Sequence, residues 1–317
     1  MAEPQIKKNN LKSVFGFLKE VFSGFSDDKA MKYSASLSYY TVFSIAPMII
    51  VIISAAGIVF GREAVQGRIF DQINGLVGAE AAKQIQSIIS NTHSSGNTIV
   101  ASIVSAVVVI MGATGVFGEI QDSINSIWGL KSKPKRGIIK IVLNRVISFS
   151  LIISLGFVLM VSLAVNAFVS VITSQLASII PGVGTYFLMI VNQALIFLIM
   201  SFMFSVIFKV LPDAKIKWRD VSKGAMLTAI LFMVGKYLIG LYVEKSNLTS
   251  VYGAAGSIVI IMVWVYYTAV ILYFGAEFTK VYSVKYGSKI EPNDYAVWVK
   301  VNEEEQPHQT LEEVKTS

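Results

Sequence analysis

A chain of 317 residues that is 54% hydrophobic and only 15% charged, with a mean hydropathy of +0.63, cannot cover a soluble fold, whose surface needs roughly a quarter or more charged residues. It reads as a membrane protein, and its formal charge of +7 fits anionic headgroups rather than nucleic acid. Cysteine is absent, which excludes disulfides, thiolate nucleophiles and Cys-based metal or iron-sulfur sites.

In chain order, residues 1–34 begin polar and continue as LKSVFGFLKEVFSGF. This sets Leu11, Val14, Phe15, Leu18, Val21, Phe22 and Phe25 at helical spacing, with Lys12 and Lys19 largely off that face. The pattern predicts an amphipathic helix along the inner leaflet, or alternatively one packed on the rest of the domain. Six runs then suffice to cross about 30 Å of hydrocarbon at about 1.5 Å per residue. They lie near Ser36 to Phe60, Thr98 to Phe117, Val146 to Val169, Thr185 to Phe208, Gly224 to Tyr242 and Gly253 to Phe274. The first run is too long and too late for a cleavable signal, so it is expected to direct insertion itself. Residues 63–90 carry a weaker apolar stripe that suits amphipathic helices on the outer surface. Residues 286–317, with EEEQPHQ, read as an acidic, partly disordered cytoplasmic tail. The expected fold is all-α and polytopic, with six transmembrane helices in residues 35–285 and amphipathic interfacial helices beside them.

Basic residues set the orientation. Segments 1–34, 118–145, 209–223 and the stretch after the last run carry six, six, five and five Lys or Arg, against three, none and one in the intervening loops. Lys and Arg stay on the cytoplasmic side, so both termini are expected to be cytoplasmic.

Polar groups inside the runs need partners, so each is packing glue or part of a path. The first run opens with SASLSYYTVFSIAP, which brings Tyr39, Tyr40 and Thr41 among four serines and ends at Pro47. Two readings fit it: a small-residue face for close helix packing, or hydroxyls lining a substrate cavity beside a Pro47 bend. Lys236 lies inside the fifth run, with Asn192 and Gln193 expected at comparable depth in the fourth. It either snorkels to the outer surface or faces the interior as an anion contact. Glu119, Asp122 and Asn125 recur about once per turn below the second run and could fix a loop or contact a cation or headgroup. Glu277, at the inner end of the sixth run, should pair with Lys280 or a basic loop residue. The pairs Gly57 and Gly61, Gly112 and Gly115, and Gly253 and Gly256 permit close helix approach. Trp128, Trp218 and Tyr282 suit the inner headgroup belt. His93 and His308 are far apart in sequence, and the chain carries no Walker A motif or dinucleotide fingerprint, so no catalytic residue, metal or cofactor is expected.

The stretches SASLSYYTVFSIAPMIIVIISAAGIVFG, NSIWG, LPDAKIKWRDVSKGAMLTAILFMVGKY and VYGAAGSIVIIMVWVYYTAVILYFGAEFTK closely resemble the BrkB/YihY family of bacterial inner-membrane proteins, over roughly residues 25 to 285. The resemblance implies six spanning helices with both ends inside. It also implies association with virulence or serum resistance, a former mislabelling as ribonuclease, and a suspected role in transport of lipids or envelope components. The YYT, WVYY and GAE elements are kept, whereas SASLS replaces a more familiar alanine-rich version. The leading expectation is a non-enzymatic transporter or translocation protein for a lipid or other anionic envelope component. The alternative is a structural scaffold in envelope assembly. Membrane lipids and envelope-assembly proteins are the expected partners, and nucleic acid is not.

Overall fold

The computed structural model describes residues 11–44, 115–132, 183–245 and 256–299, with the single positions 67 and 70. The expected third span, the outer segment 71–90, Pro47, Gly57, Gly61, Gly112 and Gly253 lie outside the described residues.

Six helices are described: α1 (Leu11–Asp27), α2 (30–44), α3 (115–127), α4 (Val183–Val210), α5 (Trp218–Lys245) and α6 (Gly256–Tyr286). Among the described residues, three stretches are long and apolar enough to cross a membrane: Gln193–Val210, Trp218–Tyr242 and Ile258–Tyr286. They coincide with the fourth, fifth and sixth expected spans. Helix α2 carries the start of the first, and α3 the last residues of the second. The 31 residues of α6 extend about 46 Å at about 1.5 Å per residue, well beyond a hydrocarbon core of about 30 Å. Helix α1 packs along its last turns, from Phe274 to Tyr286.

The fold is not purely helical. Strand β1 (Leu130–Ser132) pairs antiparallel with β4 (Ala296–Trp298), and β2 (Ala214–Lys215) with β3 (Glu291–Pro292). The registers set Leu130 opposite Trp298 and Ala214 opposite Pro292. Residues 290–299 are therefore not the solvated tail expected from residue 286 onward. Ile290 and Ala296 are buried, and the segment pins together the two loops that follow α3 and α4. Gly129 makes the first turn possible: its φ of +69° is a left-handed conformation that suits glycine after a helix.

The core lies at this strand end. Ile124, Ile127, Phe208, Val221, Ala225, Tyr273 and Ala276 are all buried in one cluster. Trp128 joins them, 1% exposed, with its Nε1 donating to the Ala276 carbonyl at 3.0 Å. The headgroup position expected for it is therefore corrected, because its indole has found an acceptor on α6. Trp218 is exposed at the start of α5, and Tyr282 is half-buried among the rings between α1 and α6.

Helices α5 and α6 cross through a reciprocal contact. Thr279 packs against Gly224, and Thr228 packs against Gly275, so that a Cβ added at either glycine would collide with the threonine facing it. Both threonine hydroxyls turn back on their own helix, to the Gly224 and Gly275 carbonyls at 2.8 and 2.7 Å. Each glycine admits the other helix's branched side chain, the close approach that membrane helices reach with small residues.

Candidate functional site

Helix α2 answers one question raised by its serines. Ser34, Ser38 and Ser44 are buried. Ser38 donates to the Met262 carbonyl on α6 at 2.8 Å, and Ser44 faces Gly115 on α3. Ser34 and Thr41 donate to carbonyls one turn back in α2, the usual use of hydroxyls in apolar helices. Tyr39 and Tyr40 point away from this seam. They are exposed, with their rings edge to face at 6.0 Å, and Tyr39 also meets Phe43.

A polar hub forms around Asp213, in the loop after α4. Its carboxylate accepts hydrogen bonds from Gln121 Nε2 and Asn125 Nδ2, each at 3.1 Å, and its own N–H donates to Asn125 Oδ1 at 2.8 Å. The Asp213 carbonyl accepts the Asn293 N–H at 3.0 Å. Asn125 thus fixes a loop, while Glu119 is half-buried and Asp122 exposed on the same helix. Burial, with the Asp213 charge adding to it, pushes the nearby Tyr295 phenol above its ordinary pKa. Asp220 makes a second buried anchor, accepting from the N–H and the hydroxyl of Ser288, both at 2.7 Å.

Glu277 is 1% exposed and pairs with Lys280 at 3.3 Å, one of the partners expected for it. Lys280 also holds Asp28. The Glu277 carboxylate fills the space above Gly24 of α1, where any Cβ would strike it. A second ion pair, Lys285 with Glu20, ties α1 to the end of α6.

Away from the strand end the packing loosens. Ser201, Phe204, Ser205, Ile207 and Phe208 of α4 are buried, but no described side chain between Ile190 and Met200 is. In α5, Met226, Ile230, Val234, Tyr237 and Leu241 form an exposed stripe at the three- and four-residue steps of one helical face. Lys236 does not belong to that stripe. By helical spacing it shares a flank with Ala225, Ala229 and Phe232. Both alanines are fully buried and Phe232 meets Phe204 of α4, yet Lys236 is exposed. The flank that α4 covers at the strand end is open where the ammonium stands. Gln193 is exposed on α4, and Asn192 is on the same helix with its side chain outside the described residues. On the other flank of α5, Leu238, Ile239 and Tyr242 join Val263, Tyr266 and Tyr267 of α6 around a cleft of about 320 Å³. Gly256 is buried at the start of α6.

Residues 21–296 match the family model described as "Virulence factor BrkB". The chain belongs to this family. The match runs from the middle of α1 into β4, so the BrkB region takes in the returning strands as well as the spans. Among relatives, a UPF0761 membrane protein of Teredinibacter turnerae is 24% identical over 83% of this chain and 59% of its own length. A UPF0761 membrane protein of Vibrio parahaemolyticus is 27% identical over 86% of this chain and 83% of its own. YfkH of Bacillus subtilis, whose name marks it as ribonuclease-like, is 24% identical over 82% of this chain and 93% of its own. The chain spans only 59% of the length of the Teredinibacter and Pseudomonas relatives it matches. No solved structure matches it.

Gln121, Asp213 and Asp220 are site residues that sequence reading missed. The available signal for the two aspartates was an acid within a basic loop, in LPDAK and in the first turn of α5, WRDVSK; Gln121 offered none.

Proposed function

We propose that this BrkB-family membrane protein translocates a lipid or other anionic envelope component without covalent chemistry. Lys236 would act as the contact for the negative headgroup. The observation that carries the reading is the position of Lys236: an ammonium inside a spanning helix, off the exposed stripe, on a flank that α4 closes at one end and leaves open at the other. An ionisable group at that depth is costly and is a functional candidate for that reason. The apolar cleft at Leu238 to Tyr267 adds a place for hydrocarbon on the opposite flank of α5. In this reading the strand end is cytoplasmic, by the balance of basic residues, and the open end faces outward.

The test is protein reconstituted in liposomes that carry a fluorescent anionic lipid in both leaflets, with a membrane-impermeant bleach added outside. Wild type should expose the inner-leaflet pool faster than protein-free vesicles. Lys236→Met should slow this roughly tenfold, the equivalent of about 1.4 kcal/mol, while Val234→Leu on the exposed stripe leaves it unchanged. Exposure no faster than in protein-free vesicles, for anionic and zwitterionic lipids alike, would sink the proposal.

A further inference from the structure

Helix α1 has two apolar faces, of which α6 uses one. Phe17 and Val21 are buried against Phe274, Phe278 and Tyr282, with Phe17 and Phe278 edge to face at 5.1 Å. Beside that contact Val14, Phe15, Leu18 and Phe22 form a second face that is 51%, 72%, 39% and 61% exposed. A face this apolar on a helix fixed to the protein needs an occupant.

Charge and position say what it is. Of the acids in this region, Glu20 and Asp28 are held by Lys285 and Lys280 of α6 and Asp27 accepts from Ser23 on the polar side, while the exposed Lys19 stands beside the open face and the exposed Lys32 just beyond it. Lys217, Arg219 and Lys223 are exposed at the start of α5, at the same end of the molecule, where Asp220 meets Ser288 just past α6. The two ion pairs and the Gly24 contact fix α1 along the last turns of α6, which close a stretch, Ile258–Tyr286, apolar enough to span the bilayer. A helix fastened there lies at the level of one leaflet's headgroups. Its apolar face meets acyl chains and its flanking lysines meet phosphates, the arrangement of an interfacial amphipathic helix.

We propose that α1 is a docking helix for anionic lipid, with Val14, Phe15, Leu18 and Phe22 inserted in the leaflet and Lys19 and Lys32 on its phosphates. The proposal is independent of translocation, because a scaffold would need the same anchor.

The chain has no cysteine, so Val14→Cys, Phe15→Cys and Ser23→Cys in the full-length protein each give one spin-label site, the last on the exposed polar side. In vesicles of phosphatidylglycerol mixed with phosphatidylcholine, labels at 14 and 15 should collide more with oxygen than with an aqueous nickel chelate, and the label at 23 the reverse. Adding Lys19→Gln and Lys32→Gln should raise the label at 15 toward water. Nickel accessibility at 14 and 15 equal to that at 23 would overturn the docking. Equal depth in phosphatidylcholine alone would overturn the requirement for anionic lipid. Protection that rises with protein-to-lipid ratio would assign the face to a second copy instead.

Discussion

Asn125 both donates to the Asp213 carboxylate and accepts the Asp213 N–H, so its removal takes the acceptor from that N–H and leaves the carboxylate with one donor fewer, Gln121 remaining. Asn125→Leu should lower stability by about 1–3 kcal/mol, the cost of a buried N–H left without an acceptor, read as a fall in Tm in detergent. Lys280→Met should cost more, about 3–5 kcal/mol, because Glu277 is left buried without its ammonium. Combining it with Glu277→Gln should recover part of that loss. A double variant no more stable than Lys280→Met would contradict this account of the pair. The Glu277 pairing was legible in the sequence, since Lys280 is three positions on and lies on the same side of one helix. The Asp213 hub was not, because its partners sit 88 and 92 positions away and no local spacing announces them. Trp128 was misplaced for a related reason. A tryptophan near a span end suits a headgroup belt until a distant carbonyl, here that of Ala276, receives its N–H.

The apolar runs made α4, α5 and α6 legible because continuous hydrophobicity needs no partner to be recognised. The far end of α6 was underestimated: after Phe274 the charged Glu277, Lys280 and Lys285 end the apolar signal but not the helix, which persists because Glu277 pairs with Lys280 and α1 supplies Asp28 and Glu20 to the two lysines. The strands escaped notice because each has only two or three residues, too few for alternation to register. At this scale two tests apply. Gly275→Val drives a side chain into Thr228 and Phe208 and should cost about 1–3 kcal/mol or more by overpacking, whereas Thr228→Ser should cost less. Ala296→Arg, which places a charge at a buried position of β4, should lower Tm as well. An unchanged Tm would show that the β1–β4 ribbon contributes little to stability.

Among the described residues, packing is dense at the strand end and looser toward Lys236. The balance of basic residues predicts which side each end faces. Lys131→Cys, exposed in β1, and Lys245→Cys, exposed at the end of α5, are the reporters. With a membrane-impermeant maleimide on intact cells, the cysteine at 245 should label directly and that at 131 only after permeabilisation. The opposite pattern would reverse the orientation and remove Lys236 from an outward path.

The crossing of α5 and α6 also bears on descent. Thr279 fills the hollow at Gly224, and Thr228 the hollow at Gly275, so neither member of a pair can enlarge unless its opposite shrinks. Sequences that diverge from this one should change these positions two at a time, exchanging bulk across the seam: a larger residue at 224 with a smaller one at 279, and likewise at 275 and 228. The lineage would then preserve a volume shared between two helices more faithfully than either amino acid.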